Sequence, residues 1–262
     1  MGKGMLIDVT KCIGCKGCQV ACKQWNNLPA TKTSFNADWS NPPDLTGTNL
    51  TRVGHHLVEE GDIVKWRFVK TACMHCEEPA CESACFVHAF VKSKQGPVVY
   101  KENLCVGCRY CMIACPFWVP KYEWDKRFPL VRKCDMCPDR QEAGMEPACA
   151  TACTTGAIKF GDREELLQEA WARIKANPGK YIEHVYGEKE VGGTSILYIA
   201  DVPFEKLGFK TDLTTEALPK YTWKALSKIP YVLVGWGAVL TAMYFYNKRR
   251  GDLESHDDHQ AG

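Results

Sequence analysis

The sequence lacks most of the signatures that mark a substrate or nucleotide site. It has no glycine-rich dinucleotide fingerprint, no P-loop and no serine nucleophile elbow, so nothing in it resembles a catalytic pocket. It is also short of charge of one sign. Lys and Arg number 33 against 31 Asp and Glu in 262 residues, and a net charge of +2 argues against a nucleic-acid partner. Met1 to Thr10 lacks a basic segment followed by an apolar run, and no twin-arginine pair precedes Cys12, so no export signal is read there. Histidines are few, seven in all, and none falls in a ligand-like pattern of its own. An apolar share of 45% excludes a disordered chain and sustains one or two packed cores.

What the sequence has in excess is cysteine, 16 of 262 residues. A disulfide scaffold of that density is usually much shorter, and chains in a reducing compartment rarely keep so many thiols unless they hold metal. The cysteines fall into four groups of four. Cys12, Cys15, Cys18 and Cys22 are spaced C-x2-C-x2-C-x3-C, and Cys105, Cys108, Cys111 and Cys115 repeat that spacing. Cys73, Cys76, Cys81 and Cys85 read C-x2-C-x4-C-x3-C. In Cys134, Cys137, Cys149 and Cys153 the middle gap, Pro138 to Ala148, has grown to eleven residues. No cysteine is left over.

A 4Fe–4S cube needs four thiolates approaching from different directions. Three cysteines in a tight loop can wrap one cube, and Gly14, Gly17 and Gly107 suit the sharp turns this takes. The fourth cysteine is expected at the start of a helix, pointing away; in two-cluster ferredoxins it ligates the other cube, so motifs work in pairs. Four motifs then predict two ferredoxin-like modules and four cubes. Zinc is the rival metal, but it needs only two C-x2-C knuckles per site and no regular third and fourth cysteine. A disulfide framework is a further rival, and a degenerate or three-iron fourth site is a variant of the cluster reading.

The runs CIGCKGCQVACKQWN, CMHCEEPACESAC, CVGCRYCMIACPFWVPKY, RKCDMCPDR and EPACATACTTGAIKFG resemble the four-cluster electron-transfer subunits of molybdopterin oxidoreductases. Among these the chain is most similar to the beta, iron–sulfur subunit of membrane-bound formate dehydrogenase, from about Met5 to the end. The iron–sulfur subunit of one type of membrane-bound uptake hydrogenase is nearly as similar, and Tyr186 to Glu205 matches both. The resemblance implies that motif one pairs with four and two with three. Cluster 1 would be held by Cys12, Cys15, Cys18 and Cys153, and cluster 4 by Cys134, Cys137, Cys149 and Cys22. Cluster 2 would take Cys73, Cys76, Cys81 and Cys115, and cluster 3 Cys105, Cys108, Cys111 and Cys85. It further implies electron relay in the order 1, 4, 2, 3 from a molybdenum or tungsten catalytic subunit to a membrane cytochrome b serving quinone. One departure is visible: only Cys115 is followed by proline (Pro116), whereas Cys22, Cys85 and Cys153 precede Lys23, Phe86 and Thr154.

The fold class expected is α+β: two ferredoxin-like modules and one C-terminal transmembrane helix. The outer module spans 1–65 and 121–200, with a loop-rich stretch at 26–65 carrying a few short strands, and the inserted module spans 66–120. Ile63–Val69 alternates as a strand does, and Gly156–Gly161 reads as another. Asp162 is placed to cap a helix, with Glu165 three residues on. Leu167, Ala170, Trp171 and Ile174 repeat at helical spacing as core positions, and Asn177-Pro178-Gly179 ends that helix. His75, between two ligand positions, is expected to hydrogen-bond near a cluster rather than bind metal. His55 and His56 fall in the loop-rich stretch. Lys16, Arg109 and Lys133 are candidates for tuning potentials through their charge.

Residues 201–228 read as a linker. From Ile229 to Asn247 no residue is charged, and nineteen residues at 1.5 Å rise give about 28 Å, close to a bilayer core. Pro230 suits a first turn, Trp223, Trp236, Tyr244 and Tyr246 suit the interfaces, and Lys248-Arg249-Arg250 closes the span. The alternative is a buried helix. Residues 248–262, with His256 and His259, read as a polar, disordered tail. The basic stop places the C-terminus in the cytoplasm, although Lys220, Lys224 and Lys228 blunt that rule. The resemblance implies an inner-membrane, single-pass subunit whose globular part is periplasmic, exported folded with the catalytic subunit; a cytoplasmic-facing complex is the alternative.

Overall fold

The computed structural model describes residues 2–35 and 39–260. The chain divides into two units, Met1–Pro219 and Lys220–Gly262.

At the centre of the first unit runs strand β1 (Lys3–Asp8), whose sequence KGMLID is buried on both faces from Gly4 onward. Its alternation sends Met5 and Ile7 to one side and Leu6 to the other. Leu6 packs with Leu166, Ala170 and Ile174, so the helix stripe expected as core is core, with Leu167 and Trp171 partly buried beside it. Met5 and Ile7 face a second layer containing Cys18, Cys149, Val53 and Val69. The sheet thus has one face for plain apolar packing and one for the cysteine-bearing loops.

Four short helices carry the cysteine motifs: α1 (Gly17–Trp25), α2 (Ala80–Ser83), α3 (Tyr110–Ala114) and, after α4 (Pro138–Glu142), α5 (Ala148–Thr151). Helix α1 packs on α5, and α2 packs on α3. Between α1 and α2 the chain forms a long hairpin, β2 (Arg52–Glu60) and β3 (Ile63–Thr71), in register Arg52↔Thr71 to Glu60↔Ile63. The strand expected at Ile63–Val69 is there. The loop expected before it is corrected, because 52–60 is a nine-residue strand. The two-residue Gly61-Asp62 connection, with Gly61 at φ +60, sets that pairing. Strands β4 (Phe90–Lys92) and β5 (Val98–Tyr100) form a small hairpin, and β6 (Lys121–Tyr122) pairs with β7 (Val131–Arg132). Phe90, Val98 and Val131 bury a separate core with Cys81, Cys85 and Cys111.

Strand β8 (Ile158–Asp162) lies antiparallel to β1, and β9 (Ile196–Ile199) lies parallel on its other edge. Helix α6 (Arg163–Ala176) follows β8 and ends at Asn177. Asp162 holds the N-cap position, but its carboxylate makes no cap bond. It accepts from the Lys3 ammonium at 3.1 Å instead, and the Arg163 N–H donates to the Gly2 carbonyl. The stretch expected as a linker from 201 is also corrected. Phe204, Leu207 and Ala217 are buried, and the Val191 N–H donates to the Thr214 carbonyl, so the chain stays packed to the end of the first unit.

The second unit contains helix α7 (Leu218–Leu226), which begins at the boundary, and helix α8 (Ile229–Gln260). The segment Leu218–Gly251 is long and apolar enough to cross a membrane, with a mean hydropathy of 1.4 and none of its most apolar window buried. A buried core helix is therefore not what 229–247 forms. The tail expected to be disordered continues as helix to Gln260, since no proline follows Asn247. The side chains of His256 and His259 lie outside the described part.

Candidate iron–sulfur centres

The metal-site loops repeat one backbone device. The second residue between the first two cysteines of each motif is left-handed: Gly14 (φ 69), His75 (φ 49), Gly107 (φ 73) and Met136 (φ 64). Glycine adopts this without cost, and the other two are held by their surroundings. Gly17 does not supply a second such turn. Lys16 (φ 59) does, as Arg109 (φ 62) does in the third motif, while Gly17 lets the loop approach the Ala152 carbonyl. At Gly14 there is no room for a side chain, since a Cβ would lie 2.6 Å from the Phe68 ring of β3.

The helices begin within the motifs rather than after them. Cys18 lies in the first turn of α1 and Cys22 in its body; Cys115 caps the C-terminal end of α3. Cys85 and Cys153 follow α2 and α5. The expectation that each fourth cysteine starts a helix is therefore wrong by one turn. Three residues between cysteines is the spacing of neighbours on one helix face, so the helix must already exist when the fourth thiol is reached.

All sixteen thiols are free. Cys15 and Cys108 are exposed, and the rest are buried or half-buried. Burial pushes Cys18 up to about 12, Lys70 pulls it down, and the thiols of Cys149, Cys12 and Cys153 push it further up. Cys12 is raised by burial and by Cys153 and Cys15. Burial also raises Cys137 to about 12 and Cys134 well above its usual range, with Cys149 and Cys22 facing both. Cys81 is raised by burial to about 12 and faces Cys73, Cys115 and Cys111. Burial takes Cys76 well up, with Cys73, Cys115 and Cys81 around it. Cys111 reaches about 12 through burial and then through Cys105, Cys108 and Cys85. A neutral thiol is thus the stable form in these buried loops, and a thiolate there needs a cation beside it.

Several N–H groups point at sulfur. Asn26 Nδ2 donates to Cys22 Sγ at 3.7 Å, the Ala89 N–H to Cys85 Sγ at 3.2 Å and the Gly107 N–H to Cys105 Sγ at 3.4 Å. His75 is fully buried, and its Nδ1 accepts from the Val98 N–H at 2.9 Å. Its Nε2 is buried without a partner among the described residues. Of the cations expected to act on the clusters, Lys133 is buried and lowers Cys81 and Cys115. Lys16 instead donates to the Trp39 carbonyl, and Arg109 stacks over Tyr122 and Trp124. Lys70 of β3, also buried, carries no such signal in the sequence. It is an ordinary-looking lysine in an alternating strand, and only the fold turns it inward.

The donor set fits an iron–sulfur cluster. Each group is all thiol, and among the described residues no three Cys, His, Asp or Glu side chains converge as one metal ion requires. Tetrahedral zinc draws four sulfurs to about 2.3 Å from one point, whereas a cube spreads its ligands over four irons.

Comparison with known proteins agrees. Residues 64–163 match the 4Fe-4S dicluster domain. The iron-sulfur subunit of nitrate-inducible formate dehydrogenase from Escherichia coli is 36% identical over 97% of this chain and 87% of its own length. The chain belongs to the formate dehydrogenase type of iron–sulfur subunits. A hydrogenase relative is comparably similar: the hydrogenase-2 operon protein HybA of Escherichia coli is 34% identical over 98% of this chain and 88% of its own length. A protein of Nitratidesulfovibrio vulgaris is 42% identical over 98% of this chain and 70% of its own. The chain is accordingly an iron–sulfur electron-transfer subunit of an oxidoreductase complex. The apolar C-terminal helix is its candidate membrane anchor.

Proposed function

We propose that this subunit relays single electrons through four 4Fe–4S clusters, between a molybdenum or tungsten catalytic subunit of formate dehydrogenase type and a membrane cytochrome b that serves quinone. The observation that carries this is the way the sixteen thiols neighbour one another. Cys12, Cys15, Cys18 and Cys153 would hold one cluster, and Cys22, Cys134, Cys137 and Cys149 a second, with Cys18 and Cys149 buried in one core. Cys73, Cys76, Cys81 and Cys115 would hold a third, and Cys85, Cys105, Cys108 and Cys111 a fourth, with Cys81 and Cys111 buried in one core. The packing of α1 on α5 and of α2 on α3 supports the same two ferredoxin-like modules, outer and inserted. When bound, each cube accepts and passes on one electron.

The chain's own residues position that relay. Exposed cysteines occur once in the first set (Cys15) and once in the fourth (Cys108), so each end offers a thiol to a partner. Both are bordered by exposed apolar side chains, Ile13 and Val20 at one end and Val106, Ile113 and Trp118 at the other. Helix α8 would cross the bilayer over 229–247 as a single inner-membrane span. The basic stop Lys248-Arg249-Arg250 supports a cytoplasmic C-terminus and hence a periplasmic globular part.

Substituting Cys108→Ser tests the relay. Electron transfer from substrate to quinone should fall at least tenfold, while dye-coupled substrate oxidation by the catalytic subunit stays near wild type. Equal loss of both activities would contradict it. The similarity to HybA favours one second reading, the same relay serving a hydrogenase, and hydrogen-dependent dye reduction by the co-purified complex would establish it.

A further inference from the structure

Helix α7 has the sequence LPKYTWKAL and buries none of its residues. Only Ser227 and Lys228 separate it from α8. The helical hydrogen bonds barely change across that joint. The Ser227 N–H donates to the Trp223 carbonyl, the Lys228 N–H to the Ala225 carbonyl and the Val232 N–H to the Lys228 carbonyl. Lys220, Lys224 and Lys228 therefore stand four residues apart on one helical path, which lines them up as a stripe about 12 Å long. All three are exposed, and the Lys224 ammonium lies 5.2 Å from the centroid of the Tyr221 ring. Trp223, 70% exposed, and Leu226 fall on other sides of the helix.

These cations do not serve the orientation of the chain. Basic residues gather on the cytoplasmic side of a span, and Lys248-Arg249-Arg250 already supplies them at its far end. Three more at the near end offset that bias. Their place decides what they meet. A hydrocarbon core of about 30 Å in a membrane of about 40–45 Å leaves a headgroup layer of about 5–7 Å on each side. The uncharged run begins at Ile229, so Lys228 stands at the edge of the core and Lys224 one turn, about 6 Å, beyond it. A lysine's apolar stem lets the ammonium reach back from further out, and Tyr221 and Trp223 suit the same layer. The fixed anion of that layer is the lipid phosphate, which an ammonium binds as a point charge.

Resting on the reading of 229–247 as a membrane span, we propose that Lys220, Lys224 and Lys228 form a docking stripe for the headgroups of anionic phospholipids. A zwitterionic headgroup carries its own ammonium beside the phosphate and gains little from the stripe. An anionic one, such as phosphatidylglycerol, gains the full attraction. Each lysine at an anionic surface adds about fivefold in affinity, and three in line act on neighbouring headgroups together. Trp223 and Leu226 rest their apolar surface on the acyl boundary. The lipid phosphates neutralise the three charges that oppose the basic stop at the other end of the span.

The test counts the lipids held by the full-length chain, by native mass spectrometry in detergent containing equal amounts of phosphatidylglycerol and phosphatidylcholine. The wild-type chain should retain phosphatidylglycerol in preference. Lys220→Gln, Lys224→Gln and Lys228→Gln together should weaken its binding by about tenfold or more and leave phosphatidylcholine unchanged. The three Lys→Arg substitutions should hold it near wild type. Neutralising Lys248, Arg249 and Arg250 instead should leave this binding step in place. Equal retention of the two lipids by the wild type overturns the proposal, and so does phosphatidylglycerol binding that survives the three glutamines. Inorganic phosphate that strips the lipid where chloride of equal ionic strength does not would overturn it too, because the stripe would then be a site for a free anion. Extraction of the wild-type chain from membranes by alkaline carbonate would instead overturn the span on which the proposal rests.

Discussion

At the scale of single residues, the cysteine loops are governed by backbone sign and by space. Gly14 combines a φ of +69 with contact against the Phe68 ring, whereas Gly156, at φ +62, has nothing within 4 Å of where a Cβ would stand. The two separate conformational strain from collision. Gly156→Ala should lose about 1 kcal/mol, the left-handed penalty of an L residue. Gly14→Ala adds displacement of an aromatic ring and should lose about 2–4 kcal/mol, together with part of the iron. Chemical unfolding of the two variants, with iron counted, checks this; equal losses would mean that Phe68 yields freely. The cysteines themselves are fully legible in the sequence, because metal-ligand spacing is a local property. The contact that leaves Gly14 no room for a side chain is not, because the fold brings Phe68 to it from far away along the chain.

At the scale of elements, periodicity predicts what local sequence determines and fails where a distant partner intervenes. The α6 stripe and the strand at Ile63 are readable, since each repeats its own period over several residues. The cap at Asp162 is not, because Lys3, 159 residues away, takes its carboxylate. The helical path after Asn247 escapes a reading by polarity, which alone does not stop a helix. Among the ties that hold the hairpin to the core is a paired side chain that no motif announces. Arg67 on β3 donates through Nε to Asp201 Oδ1 at 2.8 Å and through its terminal nitrogen to Oδ2 at 2.5 Å, beyond the end of β9. Burial pushes the Asp201 carboxyl up, but the Arg67 hydrogen bonds and charge outweigh it and hold it below its usual range. A carboxylate so depressed contributes stability above its unfolded pKa, about 3.9, and loses it only as pH falls through the folded value. Asp201→Asn should therefore cost about 1.5–3 kcal/mol, and by the same amount at pH 7 and pH 5 in urea unfolding. A cost that vanished by pH 5 would mean the pair is not ionised in the native state.

At the scale of the molecule, a chain of modest size devotes its interior to four sets of thiols rather than to a single apolar core. Much of what is buried in the first unit is cysteine or lies against it, as the cores around Cys18, Cys81 and Cys22 show. Burial disfavours the thiolate in those loops until iron binds it, so the fold and its iron should be gained and lost together. The grouping into two modules is an expectation from the number of motifs. The pairing of first with fourth and second with third comes from resemblance, since spacing alone allows other partners. The most direct test of the four-cluster relay is the iron and acid-labile sulfide content of the purified full-length chain. Four cubes require about sixteen of each per chain, in a brown protein. A colourless protein holding zinc, with iron near zero, would contradict it.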